Sequence, residues 1–313
     1  MGIVHRAEEY MSVLIKTNQL TKKYKQYAAV NQVDFQLKQG EIFGLIGKNG
    51  AGKTTLLKLL MGLANPTSGN IELNQSETST TLNKQRKQIG FMIEPTFFGY
   101  LNARDNLKYS ANLKGIRDNS EIDRVLNLVG LGGVKKPFKA YSMGMKQRLA
   151  LANALVGNPD LIILDEPING LDPSGIADFR NLILKLNREN NQTFVVSSHI
   201  LSELALMATR FGFIDQGVLL EEMSSKELHD QRQKALIIKT DDANKTVNLL
   251  KANYPNVYVN DVDEVIIPEF ENSGIDEIAN TIFINQQKLY KLVLEETTLE
   301  EYYFNLIGGA QHA

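Results

Sequence analysis

The sequence predicts an α/β protein, a parallel sheet wrapped by helices and followed by a small α+β module. Three observations predict it. Short, wholly apolar strand candidates alternate with amphipathic helical stretches through the first 223 residues. A glycine-rich loop stands between one of these strands and the next helix. Composition then shifts: 20 of 23 glycines lie in residues 1–223, and residues 224–313 carry 8 Lys/Arg against 15 Asp/Glu. That is a net of −7, which leaves +5 for the remainder of a chain of net −2. The predicted division is residues 12–223 and 224–313, with the joint near Glu221–Lys226. Residues 1–11 read as an N-terminal arm or a misassigned start, because Met11 begins a second plausible start ahead of the strand-like Val13-Leu14-Ile15.

In chain order, Glu41–Ile46 is a strand running into the glycine loop, and Thr54–Leu63 is a helix. Ile89–Ile93 is a strand, followed by amphipathic helices over Arg104–Gly115 and Glu121–Val129. Met145–Val156 is a longer helix, Leu161–Leu164 a buried strand, Ser174–Asn190 a helix and Thr193–Ser197 a strand. Phe211–Asp215 and Val218–Glu222, joined at Gln216-Gly217, read as a hairpin and an antiparallel edge. In the acidic module, Ala235–Lys239 and Leu289–Leu294 are strands, and Val257–Val259 pairs with Glu264–Ile267. Asp242–Asn253 and Gly274–Asn285 are its helices, and Thr298–Leu306 is a last helix with a Thr298/Glu301 capping box. Tyr302, Tyr303 and Phe304 read as packing residues of that last helix.

Composition removes several classes of function. The 313 residues are 43% hydrophobic and 22% charged, enough for two globular cores. A slightly negative chain is poorly suited to phosphate neutralisation along a nucleic acid, so no nucleic-acid partner is expected. The absence of cysteine excludes disulfide scaffolds, thiolate metal sites and cysteine nucleophiles. No stretch free of Asp, Glu, Lys and Arg exceeds 13 residues, short of a membrane span, and the N-terminus lacks the apolar core of a secretory signal.

Gly47-Lys48-Asn49-Gly50-Ala51-Gly52-Lys53-Thr54 fits G-x-x-x-x-G-K-[ST] between a strand and a helix. Its glycines let successive N–H groups turn inward as an anion nest, and the following helix points its positive end at the same place. Lys53 would reach the β- and γ-phosphates of a nucleotide, the Thr54 hydroxyl would ligate Mg²⁺, and Thr55 extends the nucleotide-binding set. Leu161-Ile162-Ile163-Leu164-Asp165-Glu166 ends an apolar strand in two acids, at the carboxyl end where parallel sheets bind ligands. Asp165 would hold the hydrated Mg²⁺, and Glu166 would polarise an attacking water.

Just ahead of the acid pair, Tyr141-Ser142-Met143-Gly144-Met145-Lys146-Gln147-Arg148-Leu149 resembles the L-S-G-G-Q signature of the ABC ATPases. Asn169-Gly170-Leu171-Asp172-Pro173 is similar to that family's D-loop, and Ser198-His199 to its switch histidine. The resemblance covers residues 12–223, about two thirds of the chain. It implies an ABC ATPase core, a parallel sheet with a helical subdomain and an antiparallel β edge, binding ATP and Mg²⁺. It also implies a head-to-tail homodimer in the ATP-bound state. Ser142 and Gly144 of one copy would then close over ATP held by the other, Asp172 would signal across the interface, and His199 would touch the γ-phosphate. Tyr24 matches the residue that stacks on adenine, with Tyr27 a nearby competitor.

Two departures from the family pattern stand out. Met143 and Met145 replace a glycine and the glutamine of the signature, while the phosphate-contacting Ser142 and Gly144 are retained. Glu94 stands where the family's Q-loop glutamine is usual, a charged oxygen ligand for Mg²⁺ beside the attacking water. Glutamate there resembles the bacitracin-resistance and lantibiotic-immunity exporters, whose ATPase subunits have this length and a small C-terminal extension. Only 47 residues separate Glu94 from Ser142, room for a compact helical insert and no long arm. Phe97-Phe98-Gly99-Tyr100 in that insert suits either a docking contact with a membrane subunit or the insert's own core.

The expected function is therefore ATP hydrolysis coupled to export of a peptide antibiotic or other amphipathic compound. The chain would work at the cytoplasmic face of the membrane through a separate integral-membrane permease. A regulatory ATP switch acting on a non-transport partner is the alternative reading.

Overall fold

A computed structural model describes residues 12–74, 76, 79–93, 96–231, 234–270, 273–296, 299, 302, 303, 306 and 307. The chain divides into two compact units, residues 1–225 and 226–313. The expected arm at residues 1–11 and most of the last expected helix, with Thr298 and Glu301, lie outside the described residues.

The first unit opens with two long strands, β1 (Val13–Tyr24) and β2 (Tyr27–Lys38), then β3 (Ile42–Ile46) and helix α1 (Lys53–Leu60). There follow β4 (Ser68–Leu73), α2 (Ser79–Arg86), β5 (Ile89–Met92), α3 (Ala103–Leu113), α4 (Asn119–Leu128) and α5 (Met143–Leu155). The series closes with β6 (Leu161–Asp165), α6 (Pro173–Asn190), β7 (Thr193–Ser198), α7 (Leu201–Ala205), β8 (Arg210–Asp215) and β9 (Val218–Ser224). A six-stranded sheet runs β5-β6-β7-β3-β8-β9, parallel except for the last pair, and a separate antiparallel sheet runs β2-β1-β4.

The apolar runs became central strands because nothing polar has to leave them. All five residues of β3, all six of β7 and the first four of β6 are buried. One core joins the two sheets through Phe35 and Phe43, which meet edge to face at 4.8 Å, and through Leu45, Ile163 and Val195. The strand order brings the carboxyl ends of β3, β6 and β7 side by side, and the glycine loop, the acid pair and His199 all emerge there.

The second sheet exceeds the sequence expectation, which read only its first three residues as strand. Helix α7 was likewise not foreseen, and several helices begin one or two residues earlier than periodicity placed them. Those starts are set by capping side chains: Asn102 accepts the Asp105 N–H, Asp118 the Ser120 N–H and Asp172 the Gly175 N–H.

Helix α8 (Ser225–Gln231) lies at the division between the units. The second unit then orders β10 (Lys234–Thr240), α9 (Ala243–Leu250), β11 (Tyr258–Val259), β12 (Val265–Ile267), α10 (Ile275–Ile284) and β13 (Leu289–Glu296). Its sheet is β11-β12-β10-β13, antiparallel throughout, a β-α-β-β-α-β arrangement with its own core of Leu236, Ile238, Val265, Ile267, Ile278 and Ile282. Among the described residues, no helix is long and apolar enough to cross a membrane.

Candidate functional site

The loop after β3 is forced by contacts as much as by glycine's freedom. At Gly52, φ is +109°, and a Cβ there would stand 2.3 Å from the Ala29 carbonyl oxygen. A Cβ at Gly47 would stand 2.5 Å from the Ile214 carbonyl oxygen. The loop is also hydrogen-bonded to the β8–β9 turn, Gly217 N–H donating to Ala51 O at 2.9 Å. Helix α1 starts at Gly52 with no side-chain cap and no acidic residue in its first turn. Its leading N–H groups therefore face the loop without a competing anion, as a phosphate site requires.

Lys53 is buried, its Nζ donating to Gly47 O at 2.5 Å and Lys48 O at 3.3 Å and standing 3.2 Å from Glu166 Oε1. The other oxygen of Glu166 accepts the His199 N–H at 3.3 Å and lies 2.8 Å from His199 Nδ1. Thr54 donates to Asp165 Oδ2 at 2.7 Å, which brings a hydroxyl and a carboxylate together at the mouth of the loop. Hard oxygen donors beside a phosphate nest are the donor set that suits Mg²⁺, which keeps few protein ligands and completes its shell with water and phosphate. Ser197, on the strand next to Asp165, donates to Asp165 Oδ1 at 2.6 Å and accepts the Glu166 N–H at 3.0 Å. Glu166 itself is left-handed, φ +49°, a backbone conformation costing about 1–2 kcal/mol that these bonds hold in place.

A cavity of about 340 Å³ opens over the loop, lined by Tyr24 and Tyr27 together with Asn49, Gly50, Lys53–Thr55 and Glu166. The two tyrosines are cross-strand partners at the end of the β1–β2 hairpin, 49% and 56% exposed. Both flank the space where a base would sit. Tyr24 carries the Lys22 ammonium over its ring at 5.1 Å, and the Tyr27 hydroxyl donates to Gly50 O at 3.3 Å. The structure thus puts both tyrosines in the lining of this cavity.

Ser142, Gly144 and Asp172 are elsewhere. They line a second cavity of about 600 Å³, with Met143, Arg148 and Gly170, that shares no lining residue with the first. Ser142 caps α5, accepting the Met145 N–H at 3.4 Å, and Asp172 caps α6. The cap bonds to Ser174 Oγ and the Gly175 N–H hold the Asp172 carboxyl below its ordinary range. Gln147 Nε2 to Asn169 O at 3.4 Å, with the Arg148–Asp178 ion pair at 2.7 Å, ties the signature helix to the D-loop segment and α6. Met143 is half exposed beside Gly170, so the substituted side chain lies along this second cavity rather than plugging a core. Glu94 lies outside the described residues.

Around the helical insert the aromatic cluster divides. Phe97 packs against Phe138 at 5.1 Å, and Phe138 against Tyr141 at 5.7 Å. Phe98, Tyr100 and Tyr109 form an exposed group, with Phe98 5.0 Å from Tyr109 and Tyr100 73% exposed. Sequence reasoning missed Ser197, since a serine inside a buried strand has no periodic signature. Its signal lay in the parallel register that sets it against Asp165.

The family model described as ABC transporter matches residues 30–169. A bacitracin transport ATP-binding protein of Bacillus licheniformis is 41% identical over 96% of this chain and 99% of its own length. Its counterpart in Enterococcus faecalis is 37% identical over 96% and 98%. A lantibiotic transport ATP-binding protein of Streptococcus pyogenes is 42% identical over 67% of this chain and 90% of its own. Among solved structures, a dimeric ATP-binding cassette in a post-hydrolysis state with ADP and Pi matches at TM-score 0.61 and 26% identity, covering 68% of this chain and 99% of that one. Phosphate nest, acid pair, signature and whole-length relatives agree, and the chain belongs to the ABC transporter family as an ATP-binding, ATP-hydrolysing subunit.

Proposed function

We propose that two copies of this chain sandwich ATP head to tail and power export of a peptide antibiotic, of the bacitracin or lantibiotic kind, through a separate integral-membrane permease. The observation that carries this reading is the split of the assigned residues into two cavities on one chain. Phosphate loop and acids make one half-site, and Ser142, Gly144 and Asp172 make another that needs a second copy's nucleotide. The transport roles of the relatives support an exporter over a regulatory switch. The exposed Phe98, Tyr100 and Tyr109 support this reading as the apolar surface on which a permease helix would seat, with the subunit then working at the cytoplasmic face of the membrane.

In the assembled site Tyr24 stacks on adenine, and Lys53 leaves Glu166 to pair with the phosphates. Thr54 and Asp165 hold Mg²⁺, which when bound neutralises charge on the β- and γ-phosphates; Glu94 adds a further oxygen ligand. Glu166 accepts the proton of the attacking water, and His199 steadies that carboxylate and then the charge growing on the γ-phosphate. The α5 N-terminus with Ser142 donates to the γ-phosphate of the other copy.

Mixing a Lys53→Ala chain with a Ser142→Ala chain tests the reading. One working pocket should form in the mixture, and hydrolysis and drug resistance should return together when the permease is co-expressed. Mixtures no more active than either variant alone would overturn the head-to-tail arrangement. Restored hydrolysis without resistance to any peptide antibiotic would overturn the exported class.

A further inference from the structure

We propose that Ser197 is a positioning residue for both acids of the nucleotide site, setting the Asp165 carboxylate for its cation and fixing the backbone from which Glu166 projects. The inference rests on the assignment of Asp165 made above. Ser197 on β7 stands opposite Asp165 on β6 in parallel register and is fully buried. Phe194, Val195 and Val196 precede it in the same buried strand, where an apolar residue is the ordinary filling. A hydroxyl in such a place is costly unless partnered. Both of its partners belong to the acid pair: it donates to Asp165 Oδ1 at 2.6 Å and accepts the Glu166 N–H at 3.0 Å.

The geometry is a tether with two ends. Thr54, on α1, donates to Oδ2 of Asp165, and Ser197, on the neighbouring strand, donates to Oδ1. With both oxygens held, the carboxylate presents its remaining lone pairs in one orientation. The adjacent Ser198 has a different task, accepting the Ile200 N–H at 2.9 Å in the turn after His199. Removing the Ser197 hydroxyl would leave a partly buried carboxylate oxygen short of a donor, and would leave the left-handed Glu166 N–H with only the Ser197 carbonyl at 3.2 Å.

The test is binding rather than turnover. A non-hydrolysable ATP analogue is titrated onto the full chain across Mg²⁺ concentrations and in EDTA. Ser197→Ala is expected to raise the Mg²⁺ concentration at half effect about tenfold to a hundredfold, the usual loss for an outer-shell partner, with binding in EDTA unchanged. Thr and Val have the same shape, so Ser197→Thr and Ser197→Val read the hydroxyl even if the alanine variant folds poorly. The threonine chain should keep the parental Mg²⁺ midpoint, and the valine chain should lose it. An unchanged midpoint in Ser197→Val, or equal losses with and without Mg²⁺, would overturn the proposal. Asp165→Asn serves as the control: an intact Mg²⁺ response there would overturn the assignment of Asp165 itself, separately from Ser197.

Discussion

Glu166→Gln exchanges one oxygen for an amide in a carboxylate that lies between Lys53 and His199, and its two effects run in opposite directions. The first concerns binding. Lys53 Nζ and Glu166 Oε1 are 3.2 Å apart, with side chains 6% and 20% exposed. At an effective dielectric near 20 their gross attraction is about 5 kcal/mol, of which about 1–2 kcal/mol survives as net interaction once desolvation is counted. ATP has to displace this contact to recruit Lys53, so neutralising Glu166 should tighten ATP binding by about 5- to 30-fold. The second concerns hydrolysis. An amide accepts no proton from water, and loss of a general base lowers the chemical step by roughly 10²–10⁴. The variant should therefore bind ATP better than the parent, release phosphate far more slowly and accumulate as an ATP-loaded dimer. Competition with a fluorescent nucleotide, single-turnover phosphate release and gel filtration read the three quantities separately. Phosphate release at the parental rate would refute Glu166 as the base. Weaker or unchanged ATP affinity would refute the restraint on Lys53.

Two further outcomes follow from local geometry. Gly52→Ala places a Cβ 2.3 Å from a backbone carbonyl at φ +109°, so a loss of stability above about 2 kcal/mol is expected with loss of ATP binding, and an unchanged melting temperature would contradict it. Arg124, through its hydrogen bonds, holds the Glu121 carboxyl below its ordinary 4.5 against the opposing effect of burial, and the Gly157 N–H assists. A depressed folded-state value gives stability that is full above 4.5 and lost as pH falls below it through the lower folded-state value. Glu121→Gln should accordingly cost about 1 kcal/mol at pH 7, the low end for a charged pair because Arg124 is partly solvated, and the gap in urea melts should close as acid protonates Glu121 in the folded chain.

The half-site around the phosphate loop was legible because its chemistry is local in sequence: glycines at fixed offsets, then Lys53 and Thr54, then two acids after four apolar residues. The six-stranded sheet was legible for a related reason, since strands buried on both faces leave unbroken apolar runs. The β2-β1-β4 sheet was not. Register shifts fall between Thr17 and Leu20 and between Leu20 and Lys22, and Gln19 and Gln32 are left-handed at φ +47° and +50°. Each irregularity resets the two-residue alternation from which a half-exposed strand is read, so polar residues such as Asn18, Gln19 and Lys22 look like loop. The short β4, SGNIEL, opens on two exposed residues and hides the same way. Ser197 escaped notice for a different reason. It acts through an adjacent parallel strand, a relation that exists only once register is known, just as the cross-strand pairing of Tyr27 with Tyr24 does.

The two half-sites also differ in how well their polar groups are already satisfied, and this bears on where ATP finds its binding energy. Around the phosphate loop the functional side chains already have partners, Lys53 with Gly47 O and Glu166, Glu166 with His199, Thr54 with Asp165, and Asp165 with Ser197, while the uncapped N-terminus of α1 stays open to an anion. A nucleotide arriving there exchanges contacts as much as it adds them, so each phosphate contact contributes less than its gross strength. The signature side is different. Its cap bond from Met145 N–H to Ser142 is long, at 3.4 Å, and α5 has no acidic residue in its first turn to occupy its free N–H groups. A γ-phosphate brought to that end replaces water with charge-assisted hydrogen bonds and breaks little in return. In the proposed dimer the phosphate loop thus determines whether ATP is held at all. Closure against the second copy adds the contacts at the α5 end, so binding of ATP and joining of the two chains become one energetic event.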